Sequence, residues 1–175
     1  MKEVIRIVGA CATRVWGLTG AERILRILAA QGLPLQSEAP VATVLLLRAD
    51  QIYDQRLLAA MVRADAPFQL CAHPSGLVVA ARVPATQVET AATELPNGSG
   101  PTLEALPRRV PSELVTGFEN RLRKHEPPRV YNIAGADVHT LEVDLFGGAY
   151  KGVTDLVTKW WWPALAFHAT HVCIR

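Results

Sequence analysis

Cysteine is scarce in this chain: Cys11, Cys71 and Cys173 are odd in number and widely spaced. No Cys-x-x-Cys occurs, which removes the common zinc and dithiol motifs, and the three read as small core or surface thiols in a reducing cytosol. An excess of charge of one sign is missing too. Eighteen Lys and Arg stand against 16 Asp and Glu, and a net charge of +2 gives no footing for a nucleic-acid partner. The one basic run, Arg121-Leu-Arg-Lys-His125, reads either as a solvated helix face or as a contact for phosphate or anionic lipid. No run of about 18 apolar residues exists, so no transmembrane helix is expected within these residues. Met1-Lys-Glu-Val-Ile-Arg6 puts charges where a secretory signal needs an apolar stretch. Gly-x-Ser-x-Gly is absent, and with it the serine-hydrolase elbow. Gly-Lys-Ser/Thr and Gly-x-Gly-x-x-Gly are absent as well, which removes the P-loop and the dinucleotide fingerprint. There is no internal repeat and no low-complexity tract.

What is present is a folding sequence. Half of the 175 residues are hydrophobic, enough for one compact domain with a sizeable core. Val4-Ile-Arg-Ile-Val8 is short and β-branched, and Gly9 ends it in a loop. A helix capped at Thr19 or Gly20 then runs to Gln31, with Ile24, Leu25, Ile27 and Leu28 on one face and Gly32 closing it. Thr43-Val-Leu-Leu-Leu-Arg48 is the continuous apolar run of a buried parallel strand. Asp54 caps a helix over 55–62. Phe68–Cys71 and Gly76–Arg82 form a hairpin across His73-Pro-Ser-Gly76. Pro84 opens a helix over 85–94, and Pro96-Asn-Gly-Ser-Gly-Pro101 is a loop. Strand and helix in alternation predict an α/β fold, three-layered where helices cover both faces of a mixed or parallel sheet. Residues 107–111 read as a linker and 112–124 as a helix. A helix over 137–146 is expected to stop at Gly147-Gly148. Amphipathic helices follow over 151–162 and 164–174.

Two places can carry chemistry. The first is the loop Gly9-Ala-Cys-Ala-Thr-Arg-Val-Trp-Gly-Leu-Thr-Gly20. A loop between a strand and a helix N-terminus turns backbone N–H groups toward anions, and Arg14 could add a bidentate phosphate contact. The second is Leu46-Leu-Arg-Ala-Asp-Gln-Ile-Tyr-Asp54, which sets Asp50 just past the carboxyl end of a buried strand. Asp50 reads as a metal ligand or as a turn residue. His168 and His171 have helical spacing but no carboxylate partner, and read as surface or interface histidines.

The loop, the helix after it and the Asp50 stretch resemble the sugar-phosphate and polyol-phosphate nucleotidyltransferases. The resemblance implies nucleotide binding by Gly9, Ala10, Thr13 and Arg14. It implies catalytic roles for Arg14 and Asp50, with Asp50 holding Mg²⁺ and Arg14 neutralising phosphate charge. Ala10 and Ala12 stand where glycines would let a backbone approach phosphates, and no Lys-Pro follows the loop. These departures mark the motif as degenerate.

The stretch Ala149-Tyr-Lys-Gly-Val-Thr-Asp-Leu-Val-Thr-Lys-Trp-Trp-Trp-Pro163 is more specific. Indole rings suit the headgroup level of a bilayer, and Lys side chains snorkel beside them. Lys151, Asp155, Thr158, Lys159 and Pro163 resemble the lead-in to the membrane domain of the CDP-alcohol phosphatidyltransferases that carry a soluble front domain. The resemblance implies a nucleotidyltransferase-like, Rossmann-like domain over 1–135 and a juxtamembrane helical segment over 136–175. It implies a membrane-interface role for Lys151, Lys159, Trp160, Trp161 and Trp162. It also implies CTP or a CDP-alcohol as partner, a place on the cytoplasmic face of the membrane, and assembly through a membrane domain beyond residue 175. The Asp-x-x-Asp-Gly-x-x-Ala-Arg signature of phosphatidyl transfer is absent from these residues. The expected function is the soluble front part of a phospholipid-synthesis transferase. The alternative is a non-catalytic nucleotide-binding or membrane-docking module.

Overall fold

The structure is a computed structural model that describes residues 2–38, 41–115 and 128–150. Two compact units divide the chain. The first comprises Met1–Thr116 and Pro127–Leu141, and the second Gly117–Glu126 and Glu142–Arg175.

In the first unit, strand β1 (Lys2–Glu3) leads into β2 (Ile5–Val8). Helix α1 (Gly20–Ala30) begins with a capping box: the Thr19 hydroxyl accepts from the Glu22 N–H at 3.2 Å, and the Glu22 carboxylate accepts from the Thr19 N–H at 2.8 Å. Gly32, with φ +65°, ends the helix, and the Leu33 N–H reaches the Leu28 carbonyl at 2.9 Å. Strand β3 (Gln36–Ser37) returns antiparallel to β1. Strand β4 (Thr43–Arg48), the short β5 (Gln51–Tyr53) and helix α2 (Gln55–Arg63) follow. Asp54 caps α2 by accepting from the Arg56 N–H at 2.9 Å. Strands β6 (Phe68–Cys71) and β7 (Val78–Pro84) form the antiparallel hairpin. Then come α3 (Val88–Glu94), α4 (Pro101–Glu104), β8 (Arg108–Arg109), α5 (Pro111–Leu114) and β9 (Val130–Asn132), and α6 (Val138–Tyr150) begins in the first unit and ends in the second.

The main sheet has the order β2-β4-β7-β6-β8. Strand β4 pairs parallel with β2 and antiparallel with β7, so the sheet is mixed. Side chains on β4 alternate between two cores. Leu45 and Leu47 pack with Ile24 and Leu28 of α1 and with Leu57, Leu58 and Met61 of α2. Val44 and Leu46 pack with Val88 and Ala91 of α3 and with Leu103 of α4. Helices therefore cover both faces, and an apolar run without alternation is what a strand buried on both sides requires. Each fully buried leucine contributes roughly 1.5–3 kcal/mol of transfer free energy. One guanidinium crosses this core. Arg82 of β7 donates to Thr43 Oγ1 at 3.1 Å and to the last carbonyls of α2, those of Met61 at 3.0 Å and Val62 at 2.9 Å. A cation at a helix carboxyl end also meets the negative pole of its dipole.

The fold is mixed α/β, as the alternation of elements predicts, and several boundaries differ from expectation. Strand β7 starts at Val78 rather than Gly76, because Gly76 (φ +72°) still belongs to the turn and its N–H bonds the Ala72 carbonyl at 2.7 Å. The helix expected over 85–94 is a 3₁₀ turn, Ala85–Gln87, followed by α3. Pro84 closes the strand rather than opening the helix. The expected linker at 107–111 contains β8, which pairs parallel with β6. Helix α6 runs through Gly147 and Gly148 to Tyr150. Glycine costs about 1 kcal/mol in a helix interior, and it stops one only by adopting the left-handed conformation. Of the helix expected over 112–124, the described part is α5. The helices expected over 151–162 and 164–174 lie outside the described residues, with Lys151, Lys159 and the three consecutive tryptophans. Among the described residues no helix is long and apolar enough to cross a membrane.

Candidate functional site

The parallel pairing of β2 with β4 brings the two sequence candidates to one edge of the sheet. Val8 is the register partner of Arg48, and the Ala49 N–H donates to the Val8 carbonyl at 2.9 Å. Gly9 and Asp50 therefore leave adjacent strand ends. The far end of the loop is fastened to the same residue. A Cβ on Gly20 would stand 2.1 Å from the Ala49 carbonyl oxygen, so only glycine lets α1 begin there.

Between these anchors the loop folds on itself. Val15 and Leu18 exchange backbone hydrogen bonds at 2.9 and 3.2 Å around Trp16 and Gly17, both at positive φ. Trp16 is half exposed, with the Arg23 guanidinium 5.7 Å from the centre of its ring. Gly9 and Ala10 are exposed and Thr13 is half-buried. The Arg14 side chain turns back to the helix it precedes. It donates to the Gly17 carbonyl at 2.6 Å and to the Glu22 carboxylate at 3.2 and 3.4 Å. The Thr19 backbone N–H and hydroxyl hold the Glu22 carboxyl below its ordinary value, and Arg14 adds to the effect.

Asp50 is bound more tightly. Arg48 grips it from the side with two bonds, Nε to Oδ1 at 2.9 Å and Nη2 to Oδ2 at 2.6 Å, and Gln51 Nε2 donates to Oδ1 at 3.1 Å. Burial pushes the carboxyl up, but these donors outweigh it and hold Asp50 below the usual carboxylate range. Tyr53 fixes the strand end beneath the pair. Its buried hydroxyl donates to the Val79 carbonyl at 2.6 Å and accepts from the Arg48 N–H at 3.0 Å. Burial pushes the ionisation of this phenol far upward, so it remains a neutral strut.

The residues around Asp50 do not fit a resident magnesium ion. Both carboxylate oxygens are engaged by one guanidinium, and a hard dication prefers carboxylate and water oxygens to the company of a fixed cation. Among the described residues no three His, Cys, Asp or Glu side chains gather as a metal site.

Sequence reasoning passed over a neighbouring cavity of about 160 Å³. It lies between Arg48 and Gln51, the 72–77 turn, and β9, which pairs antiparallel with β5. Its polar lining is Arg48, Gln51, His73, Ser75 and Asn132. Leu77, Val79 and Val130 make an apolar wall. Arg48 carried one signal in the sequence: a charge ending an apolar strand two residues before an aspartate. Asn132 carried none, because its place depends on pairing across a long separation.

Comparison with known proteins gives no match, whether to family models, curated proteins or solved structures.

Proposed function

We propose that this chain is the front part of a CDP-alcohol phosphatidyltransferase-type phospholipid-synthesis protein on the cytoplasmic face of a membrane. Its domain is nucleotidyltransferase-like but degenerate, and acts as a nucleotide-binding or docking module rather than as a catalyst. The observation that carries the non-catalytic part is the state of Asp50, whose two oxygens are held by Arg48. Support for retained phosphate binding comes from Arg14, whose partner Glu22 is exposed and easily exchanged for a ligand anion. Support for the fold class comes from the loop that leaves β2, returns to a capped helix and rests against the strand end bearing Asp50. Support for a membrane surface comes from the Lys and Trp belt at 151–162.

The test is a titration with CTP and Mg²⁺ while pyrophosphate release is followed in the presence of phosphoalcohols. The module reading expects saturable CTP binding that weakens in Arg14→Ala and no pyrophosphate above the blank. Turnover that disappears in Asp50→Asn would replace it with an active nucleotidyltransferase. The chain should also float with anionic vesicles, and equal flotation by a version ending at Gly148 would remove the membrane role of the belt.

A further inference from the structure

We propose that the cavity between Arg48, the 72–77 turn and β9 is an oxyanion site that takes a phosphomonoester group. The inference does not rest on the nucleotide reading, because the cavity shares no lining residue with the 9–20 loop.

Arg48, His73 and Asn132 bring donors to its lining, the Ser75 hydroxyl donates to the Ala72 carbonyl at 3.4 Å, and among the described residues no carboxylate lines it. Asp50 meets the Arg48 guanidinium through Nε and Nη2, and Asp50 itself is not part of the lining. The remaining nitrogen, Nη1, has only long contacts, 3.5 Å to the Val78 carbonyl and 3.4 Å to the Leu95 carbonyl. Both are longer than the usual 2.7–3.2 Å for such bonds, so Nη1 is held weakly by its two carbonyl partners. Asn132 is oriented by the Ala134 N–H, which donates to its Oδ1 at 2.9 Å and leaves the amide NH₂ as its other polar group. His73 and Ser75 stand exposed on the turn. Gln51 already donates to Asp50, and its amide oxygen can accept from a P–OH or from a hydroxyl on the esterified alcohol. A second guanidinium flanks the turn, because Arg108 Nη2 would lie 3.4 Å from a Cβ on Gly76.

Size narrows the ligand. Sites for drug-sized molecules run to roughly 300–1,000 Å³. A cavity of about 160 Å³ suits a group of a few heavy atoms. A phosphomonoester brings three acceptor oxygens to converging donors and a charge that Arg makes strong. Such a group belongs either to a soluble metabolite or to the headgroup of a lipid such as phosphatidic acid.

The experiment is an NMR titration of the ¹⁵N-labelled full chain. The probes are methyl phosphate and, separately, bicelles with and without phosphatidic acid. Saturable shifts of the 73–77 and 130–134 amides, with the 9–20 amides unmoved, are expected. The double variant His73→Ala with Asn132→Ala lies outside the core and should weaken binding about tenfold. Its fold is checked by unchanged β4 and β7 resonances. A response to methyl phosphate assigns a soluble source, and a response only to phosphatidic acid assigns a lipid headgroup. Absence of saturation with both probes, equal affinity in the double variant, or shifts confined to residues 9–20 would each overturn the proposal.

Discussion

Two arginine–carboxylate pairs stand at the same edge of the sheet. In Arg14–Glu22 the side chains are 56% and 45% exposed, and in Arg48–Asp50 they are 11% and 19% exposed. The first pair sits in water, where Coulomb attraction is weak and a phosphate could displace the carboxylate at little cost. The second is bidentate, largely removed from water, and braced by Gln51 on the carboxylate and Tyr53 on the Arg48 backbone. One loop at this edge can therefore exchange partners while the strand end beside it cannot. An ion pair seen near a suspected site is informative only after its exposure is known.

Breaking the buried pair should have the largest effect. Asp50→Ala leaves a largely buried guanidinium without its carboxylate and is expected to cost about 3 kcal/mol, read as the urea unfolding midpoint. Replacing both partners with apolar residues, Arg48→Met with Asp50→Leu, should recover most of that loss. The same pair sets an acid limit. Asp50 is held below its unfolded value, so the folded state binds fewer protons and stability rises with pH through that window. Its contribution is complete above about pH 4 and is lost as pH falls through the folded value. Asp50→Asn should flatten the acid limb of the stability curve. If the limb keeps its slope, other carboxylates dominate it.

Next in size is the anchor that joins the two regions. Gly20→Ala drives a methyl into the Ala49 carbonyl, and the helix start must shift, at about 1–3 kcal/mol. An unchanged midpoint would mean that the loop is not fastened to the strand end. The smallest effect belongs to the exposed pair. Glu22→Gln keeps the capping-box geometry but removes the charge that meets Arg14. Its unfolding midpoint should fall only slightly, whereas CTP affinity should rise because Arg14 loses its carboxylate partner. A strongly destabilised Glu22→Gln would show that the two pairs are alike after all.

Local chemistry made much of the fold legible. The cap at Thr19, the Asp54 cap and the apolar run Val44–Leu47 of β4 are signals written in a few neighbouring residues. What stayed hidden depends on distant partners. Gln51-Ile-Tyr53 is too short to announce a strand, and it becomes one only by pairing with Val130–Asn132. Arg108–Arg109 is a strand only because β6 lies beside it. At the site, the positions of Gly9 and Asp50 followed from strand ends, a local rule. The engagement of Asp50 by Arg48 did not, since alternation shows only that residues two apart on a strand share a side. The cavity needed three separated segments at once.

The pairing of β5 with β9 has a consequence for how the protein is made. The strands of the main sheet lie within residues 5–109, so a nascent chain can assemble them early. The β5 edge, and the wall that Val130 and Asn132 give the cavity, wait for residues that emerge later. Long-range pairing is slow to form because its loop must close first. During that interval β5 is an open strand edge, the kind of surface that holdase chaperones and stray strands recognise. Ligand-binding competence at the cavity would thus mark the end of synthesis of this domain, and a ribosome stalled before β9 would display a sheet without its pocket.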